Sequence, residues 1–168
     1  MIHDSPPTHA QALFEKGCYS ECLEYIHGLS QNHRNVPIRI LEAVCLIETG
    51  DLDCAEVCLR DLRITVPDSA EVCIYLGRIL TGRGDDEARM AFSEAVRLDP
   101  DNRDGLSWYA NFLTSQGDHS AAIPVLIRLY TLFQDPLYLQ MLIEAYNQSE
   151  HFEEAIQAYR KNGSPICC

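Results

Sequence analysis

Apolar residues recur three and four positions apart along most of the chain, and no segment alternates apolar with polar residues. Spacings of three and four place side chains on one face of an α-helix, whereas alternation would indicate a strand. The pattern therefore predicts helices throughout and no sheet.

The helical pattern repeats in steps of 33 or 34 residues. Each repeat has a turn position, then a small residue four or five positions later, then a large apolar residue four positions after that. The turn positions are Gly17, Gly50, Gly84, Gly117 and Glu150. The small residues are Cys22, Ala55, Ala88, Ala122 and Ala155, and the large ones are Ile26, Leu59, Phe92, Leu126 and Tyr159. A period of this length is typical of stacked helical repeats.

A glycine between two amphipathic segments predicts two antiparallel helices joined by a tight turn, because glycine readily adopts the left-handed conformation that ends a helix. The small residues let the two helices approach closely. A proline and a capping residue mark three of the boundaries between repeats. They are Pro67 with Asp68 and Ser69, Pro100 with Asp101 and Asn102, and Pro136 with Asp135.

These columns resemble the tetratricopeptide repeat family. The resemblance rests on Leu76-Gly77-x-x-Leu80, Gly84-Asp85, Ala88-x-x-x-Phe92-x-x-Ala95 and Leu98-Asp99-Pro100-Asp101-Asn102. It covers five repeats, over residues 3–35, 36–69, 70–102, 103–135 and 136–168. The chain departs from the pattern at Cys22 in the small column, at Glu42 where the third repeat has Leu76, and at Glu150 in the turn column.

The resemblance implies an all-α fold, a right-handed superhelical solenoid of five helix–turn–helix repeats. It further implies a single domain over residues 1–168 with a flexible tail over 163–168, and a concave groove lined by the first helix of each pair. Such grooves bind a peptide or helix of another protein, without enzymatic activity. We therefore expect an adaptor, a scaffold or a co-chaperone-like module.

The groove should be lined by first-helix residues three, six and ten positions before each turn. By this rule the first repeat contributes Pro7, Gln11 and Phe14. The predicted partner-binding residues of the other repeats are Ile40, Val44, Ile47, Ile74, Arg78, Ser107, Asn111, Gln140 and Asn147. Asparagine can donate to and accept from one peptide group, and so hold a partner's backbone. The alternative is that the isoleucines belong to the ordinary core between helices.

The formal net charge of −12 argues against binding to nucleic acids and anionic membranes, which attract clustered Lys and Arg. We expect a protein or peptide partner that is neutral or basic. Some members of the family hold the carboxylate tail of heat-shock chaperones with basic and amide side chains. Here the corresponding helix offers Glu71, and only Arg78 is basic, so an anionic tail is disfavoured.

No segment reaches the roughly 20 apolar residues that cross a bilayer, and the first residues show no export pattern. We therefore expect a cytoplasmic protein with reduced thiols at its eight cysteines. The apolar residues Ile156 and Tyr159 in the last helix leave open a homodimer through the C-terminal repeat. A self-assembling structural repeat protein is accordingly the alternative function.

Two cysteine pairs place their thiols one helical turn apart, a spacing that could bind a metal or serve redox chemistry. They are Cys18 with Cys22, and Cys54 with Cys58. Against this, Cys22 lies in a column where the other repeats have alanine, and a buried free cysteine behaves as a small apolar residue. No phosphate loop or nucleophile motif is present, so we expect no cofactor, no metal and no catalytic site.

Three further sequence features are not interpreted as catalytic or ligand-binding sites. His119 and His151 lie next to turns and are expected to be exposed, and the terminal Cys167-Cys168 resembles a double prenylation signal only as a dipeptide. The stretch Gly82-Arg83-Gly84-Asp85-Asp86-Glu87 contains the Arg-Gly-Asp adhesion tripeptide. Its turn-to-small spacing is four instead of five, so we interpret it as a shortened turn with an altered helix-pair angle.

Overall fold

The structure is a computed structural model that describes residues 6–84 and 86–162, without the side chains of residues 6, 7, 31 and 159–162. Every regular element of these residues is helical, and none is a strand. The α-helices are α1 (Pro6–Glu15), α2 (Tyr19–His27), α3 (Val36–Thr49), α4 (Leu52–Thr65), α5 (Ala70–Arg83), α6 (Glu87–Leu98), α7 (Arg103–Ser115), α8 (His119–Phe133), α9 (Pro136–Gln148) and α10 (Phe152–Asn162). The predicted all-α fold is confirmed.

The helices divide between two compact units, Met1–Asp85 and Asp86–Cys168. In the first unit each helix packs against the next one along the chain, and the first helices of successive pairs, α1, α3 and α5, also contact one another. In the second unit α6 to α10 pack in the same sequential order. The single domain over the whole chain stays a prediction. Among the described helices, none is both long enough and apolar enough to span a bilayer.

The within-repeat turn has one bonding pattern, which Gly50 illustrates. Its φ is 86°, its N–H donates to the carbonyl of Ile47 at 3.1 Å, and the N–H of Asp51 donates to the carbonyl of Leu46 at 2.9 Å. These two bonds satisfy carbonyls that the end of α3 would otherwise leave open. Gly50 therefore serves as the left-handed stop that the repeat pattern predicts.

Glu150 adopts the same turn without being a glycine. Its φ is 63°, its N–H donates to the carbonyl of Asn147 at 3.2 Å, and the N–H of His151 donates to that of Tyr146 at 2.9 Å. A side chain in this region strains the backbone. The turn at Glu150 thus forms both backbone hydrogen bonds although glutamate disfavours a positive φ.

The residues of the small and large columns are buried in both units. Cys22, Ala55, Ala88 and Ala122 are fully buried, and Ala155 is 4% exposed. The large residues Ile26, Leu59, Phe92 and Leu126 are at most 1% exposed, whereas the side chain of Tyr159 lies outside the described residues. The five small positions are therefore packing positions, as predicted.

The stretch around Gly84 differs from the other turns in how the second helix starts. Gly84 has φ 68° and ends α5, but α6 begins only at Glu87, and its N-cap Asp86 makes no side-chain cap bond. In the second repeat the side chain of Asp51 accepts from the N–H of Cys54 at 3.2 Å. The shortened spacing thus removes the start of the second helix, including its cap. The altered helix-pair angle stays a prediction.

Candidate functional site

A cleft of about 230 Å³ in the first unit is built by the first helices of three successive repeats. We call it the first-helix cleft; its lining residues are Gln11, Phe14, Pro37, Ile40, Leu41, Val44, Glu71 and Tyr75. Four of them, Gln11, Phe14, Ile40 and Val44, were assigned to the groove by the spacing rule. The structure therefore brings these four predicted residues of α1 and α3 together at one cleft.

The aliphatic residues of the first-helix cleft also serve the core. Ile40 is 8% exposed and Val44 is 5% exposed, so each offers a small area to the cleft and the rest to helix packing. Ile74 is equally buried and does not line the cleft, and Ile47 is half-buried outside it. Ile40 and Val44 are thus mostly core residues, and the small area that each leaves exposed faces the cleft.

Glu71 is the one carboxylate in the wall of the first-helix cleft. The residue as a whole is exposed, yet the packing around its carboxyl group removes water and raises its pKa. It forms no ion pair with any described residue. A partly desolvated carboxylate without a cation is an electrostatic cost that a positively charged partner group would remove.

Arg78 is already engaged within the first unit. Its guanidinium lies 5.4 Å from the ring centre of Tyr75, and its Nη2 lies 3.6 Å from Oε1 of Glu48. The side chain is half-buried and does not line the first-helix cleft. Its charge is therefore partly compensated by the protein itself.

The predicted residues of the second unit separate into two kinds. The Ser107 hydroxyl lies 3.0 Å from the phenol oxygen of Tyr138, which also accepts from Arg103 at 2.9 Å, so Ser107 belongs to an internal network between α7 and α9. Asn111, Gln140 and Asn147 are exposed, and their side-chain amides make no hydrogen bond within the described part of the chain. These three amides can bind an external group.

A second cleft, of about 320 Å³, lies in the second unit between α7, α8 and α9. It is lined by Thr114, Ser115, His119, Met141, Glu144 and Ala145. His119 was expected to be an exposed turn residue, but it is half-buried, and its Nδ1 is buried without a partner among the described residues. The expectation was wrong because residues of α9, which belongs to the next repeat, line the same cleft as His119. The sequence of the turn alone does not indicate this neighbour.

A larger cavity of about 680 Å³ lies beside Glu42 in the first unit, and the sequence did not predict it. Its lining includes Glu42, Arg34, His27, Leu46 and Val57. Nη2 of Arg34 donates to both oxygens of Glu42, at 2.6 and 2.8 Å, and His27 Nε2 lies 3.1 Å from Oε1. Glu42 is 7% exposed, so this buried charge is neutralised by its neighbours. The sequence feature that could have indicated this site is Glu42, an acidic residue at the position where the third repeat has Leu76.

The arginine at the rim of the same cavity is paired as well. Arg39 forms an ion pair with Asp61, and its carbonyl lies 3.6 Å from Sγ of Cys58. The basic groups of the cavity are therefore occupied by the protein's own carboxylates.

The six cysteines of the described part form no disulfide with one another, and three of them are buried. Sγ of Cys22 donates to the carbonyl of Ala10 at 3.3 Å, and Cys22 and Cys45 are fully buried together. Burial raises the pKa of Cys22 and raises that of Cys45 to about 12, so both are neutral thiols. No group of three or more His, Cys, Asp or Glu side chains in residues 6–84 and 86–162 is arranged to hold a metal ion. Cys167 and Cys168 lie outside the described residues.

No family model and no curated protein sequence matches the chain. Solved structures of MamA do match its fold. MamA of AMB-1 is 19% identical with a TM-score of 0.76, over 94% of this chain and 86% of that one. MamA 41-end from Desulfovibrio magneticus RS-1 is 14% identical with a TM-score of 0.76, over 96% and 95%, and MamA of MSR-1 is 20% identical with 0.72, over 94% and 90%. At these identities the likeness shows the fold alone: this chain has the helical-repeat solenoid fold of the MamA structures.

Proposed function

We propose that the protein is a tetratricopeptide-like interaction module that binds a segment of a partner protein on its first helices. The observation that carries the proposal is the first-helix cleft. Three successive first helices contribute to it, and its apolar lining residues include Phe14, Ile40 and Val44. Apolar side chains in a concave site, with a few polar groups at the rim, are typical of sites that recognise a peptide side chain.

The exposed amides of the second unit are a separate candidate contact surface. Asn111, Gln140 and Asn147 each present a donor and an acceptor that the described residues leave unused. Such groups can hold a peptide backbone without selecting its side chains. In this proposal the first-helix cleft is the principal binding site. The free thiols suit a reducing compartment such as the cytoplasm.

The test is affinity capture with wild-type protein and three variants, followed by titration of each captured segment. Val44→Glu places a charge in the apolar lining of the cleft, and Gln11→Trp fills the cleft from an exposed position that the fold does not depend on. Ile64→Glu introduces the same charge at an exposed residue of α4 that lines none of the described clefts, and is the matched control. We expect both cleft variants to lose partners and Ile64→Glu to keep them. Cleft variants that are folded by circular dichroism and keep every partner would contradict the proposal.

A second candidate function is self-association through the C-terminal repeat. Phe152 is 56% exposed and Ile156 is 51% exposed, one helical turn apart on α10. Two large apolar side chains in this arrangement form a face that a second copy could cover. Light scattering over a range of protein concentrations tests this candidate. We expect the apparent mass of wild type to rise with concentration and that of Ile156→Glu to stay at the monomer value; a wild type that remains monomeric rejects it.

A further inference from the structure

The wall of the first-helix cleft shows what kind of partner it accepts. Glu71 lies in the first turn of α5, close to the apolar residues Ile40, Val44 and Tyr75 that line the same cleft. Because apolar neighbours replace water around its carboxyl group, the pKa of Glu71 is raised. The charge at this position is thus held in a less polar environment than an ordinary surface carboxylate.

Glu48 and Glu15 have polar partners, whereas Glu71 has no ion pair among the described residues. Glu48 lies 3.6 Å from Arg78, and Glu15 accepts a hydrogen bond from the amide of Gln11 at 3.1 Å. Glu71 has no ion pair within residues 6–84 and 86–162. An anionic partner group would add repulsion in this environment, whereas a cationic group would form a charge-assisted hydrogen bond.

We propose that the first-helix cleft recognises a basic-apolar segment of a partner protein, in which a large aliphatic or aromatic side chain enters the cleft and a neighbouring Lys or Arg pairs with Glu71. This inference rests on the proposed function and states the partner's chemistry. A cleft of about 230 Å³ suits single side chains of an extended or helical segment and not a folded surface. The formal net charge of −12 favours the approach of a basic segment from a distance.

The two requirements come from different residues, so they can be tested separately. The apolar requirement depends on Phe14, Ile40 and Val44, which are among the apolar lining residues of the cleft. The basic requirement depends on Glu71 in its wall. Changing the charge of Glu71 should therefore alter the sequence preference of the cleft without abolishing its use.

The experiment selects binders from a displayed library of short random peptides, using wild type, Glu71→Gln, Glu71→Lys and Asp68→Asn. Glu71→Gln removes the charge at nearly constant volume, and Glu71→Lys reverses it. Asp68→Asn removes one negative charge from an exposed residue that does not line the cleft, and so controls for the change in net charge. The selected peptides are then synthesised, and their affinities for each variant are measured by titration calorimetry.

We expect wild type and Asp68→Asn to select peptides with Lys or Arg next to a large apolar residue, and Glu71→Lys to select Asp or Glu instead. The affinity of the wild-type peptides should fall about tenfold in Glu71→Gln, which is the effect of one charge-assisted bond, and stay unchanged in Asp68→Asn. Wild-type peptides without a basic preference, or an unchanged affinity in Glu71→Gln, would overturn the inference and leave the proposed function standing.

Gln11→Trp separates the two failures. If selected peptides bind Gln11→Trp as tightly as wild type, they do not occupy the first-helix cleft, and the proposed function fails together with this inference. The proposed function also fails if the library yields no peptide whose affinity is reduced by Gln11→Trp. Circular dichroism of each variant confirms that the comparison concerns folded protein.

Discussion

Arg34 uses one nitrogen, Nη2, to hold both carboxylate oxygens of Glu42, at 2.6 and 2.8 Å. Glu42 occupies the position at which the third repeat has Leu76, a fully buried residue. The second repeat therefore contains a buried ion pair where its neighbour has a leucine. The pair is also joined by His27, whose Nε2 lies 3.1 Å from Oε1 of Glu42.

We predict that Arg34→Met destabilises the protein by about 2 kcal/mol, because it leaves a buried carboxylate without its cation. The value is below the usual cost of breaking a buried pair, since the Arg34 side chain is 25% exposed. The double variant Arg34→Met with Glu42→Leu should recover wild-type stability, because it restores the leucine of the other repeat. Urea unfolding followed by circular dichroism measures both. Equal stability of Arg34→Met and wild type would show that the pair contributes nothing.

We predict that Cys45 makes the protein sensitive to alkaline pH. Its pKa is raised from 9.0 to about 12, chiefly by burial, so the folded state keeps the thiol protonated where the unfolded chain releases the proton. The stabilising contribution is complete below pH 9.0 and is lost as the pH rises towards 12. At about pH 10.5 the loss should be about 2 kcal/mol.

Comparison of wild type with Cys45→Ala isolates this contribution. Both proteins keep the other groups that titrate at alkaline pH, so the difference between their unfolding free energies at neutral and alkaline pH reports the Cys45 thiol together with its interaction with Cys22. We expect the stability of wild type to fall more steeply with pH than that of Cys45→Ala. Parallel curves for the two proteins would be the opposite result.

Two glycines give opposite predictions for the same substitution. Gly50→Ala should destabilise the protein by about 1 kcal/mol, because φ at this position is 86° and alanine is strained there. Gly82→Ala should stabilise it by about 0.5 to 1 kcal/mol, because Gly82 lies within α5 and a Cβ there meets no atom within 4 Å. Thermal unfolding of the two variants checks both signs, and a shift in the same direction for both would refute the account of the turn.

The caps of the second helices provide a further pair. Asp51→Ala should cost about 1 kcal/mol, because its side chain accepts from the N–H of Cys54 at the start of α4. Asp86→Ala should cost about 0.5 kcal/mol or less, because Asp86 makes no cap bond at the start of α6. Urea unfolding gives both values. A loss at Asp86 equal to that at Asp51 would mean that the shortened turn is capped after all.

The fold could be predicted because the same packing requirement recurs in every repeat. Ala55 and Ala122 are fully buried where helices of a pair pack together, and a column of small residues at a nearly constant spacing indicates that packing. Glu150 shows that the column tolerates an exception, because its turn forms the same two hydrogen bonds without glycine. Agreement among many columns therefore outweighs a single departure.

The site could be predicted only in part, because its residues have two roles that the pattern does not separate. Val44 satisfies the spacing of a groove residue and that of a core residue; it is 5% exposed and also lines the first-helix cleft. The partner of Glu42 is Arg34, which lies in the segment between helices and in no column. Ser107 fits the groove rule, but Tyr138 from the next repeat engages its hydroxyl. Contacts between neighbouring repeats decide these cases.

Gly50 is required for its left-handed backbone conformation and not for lack of room for a side chain. A Cβ added at this residue meets no atom within 4 Å, so the restriction on side chains arises from the positive φ alone. A D-amino acid adopts a positive φ without this strain. D-alanine at position 50, introduced by chemical ligation, would thus retain the turn, restrict the unfolded chain and stabilise the protein relative to glycine.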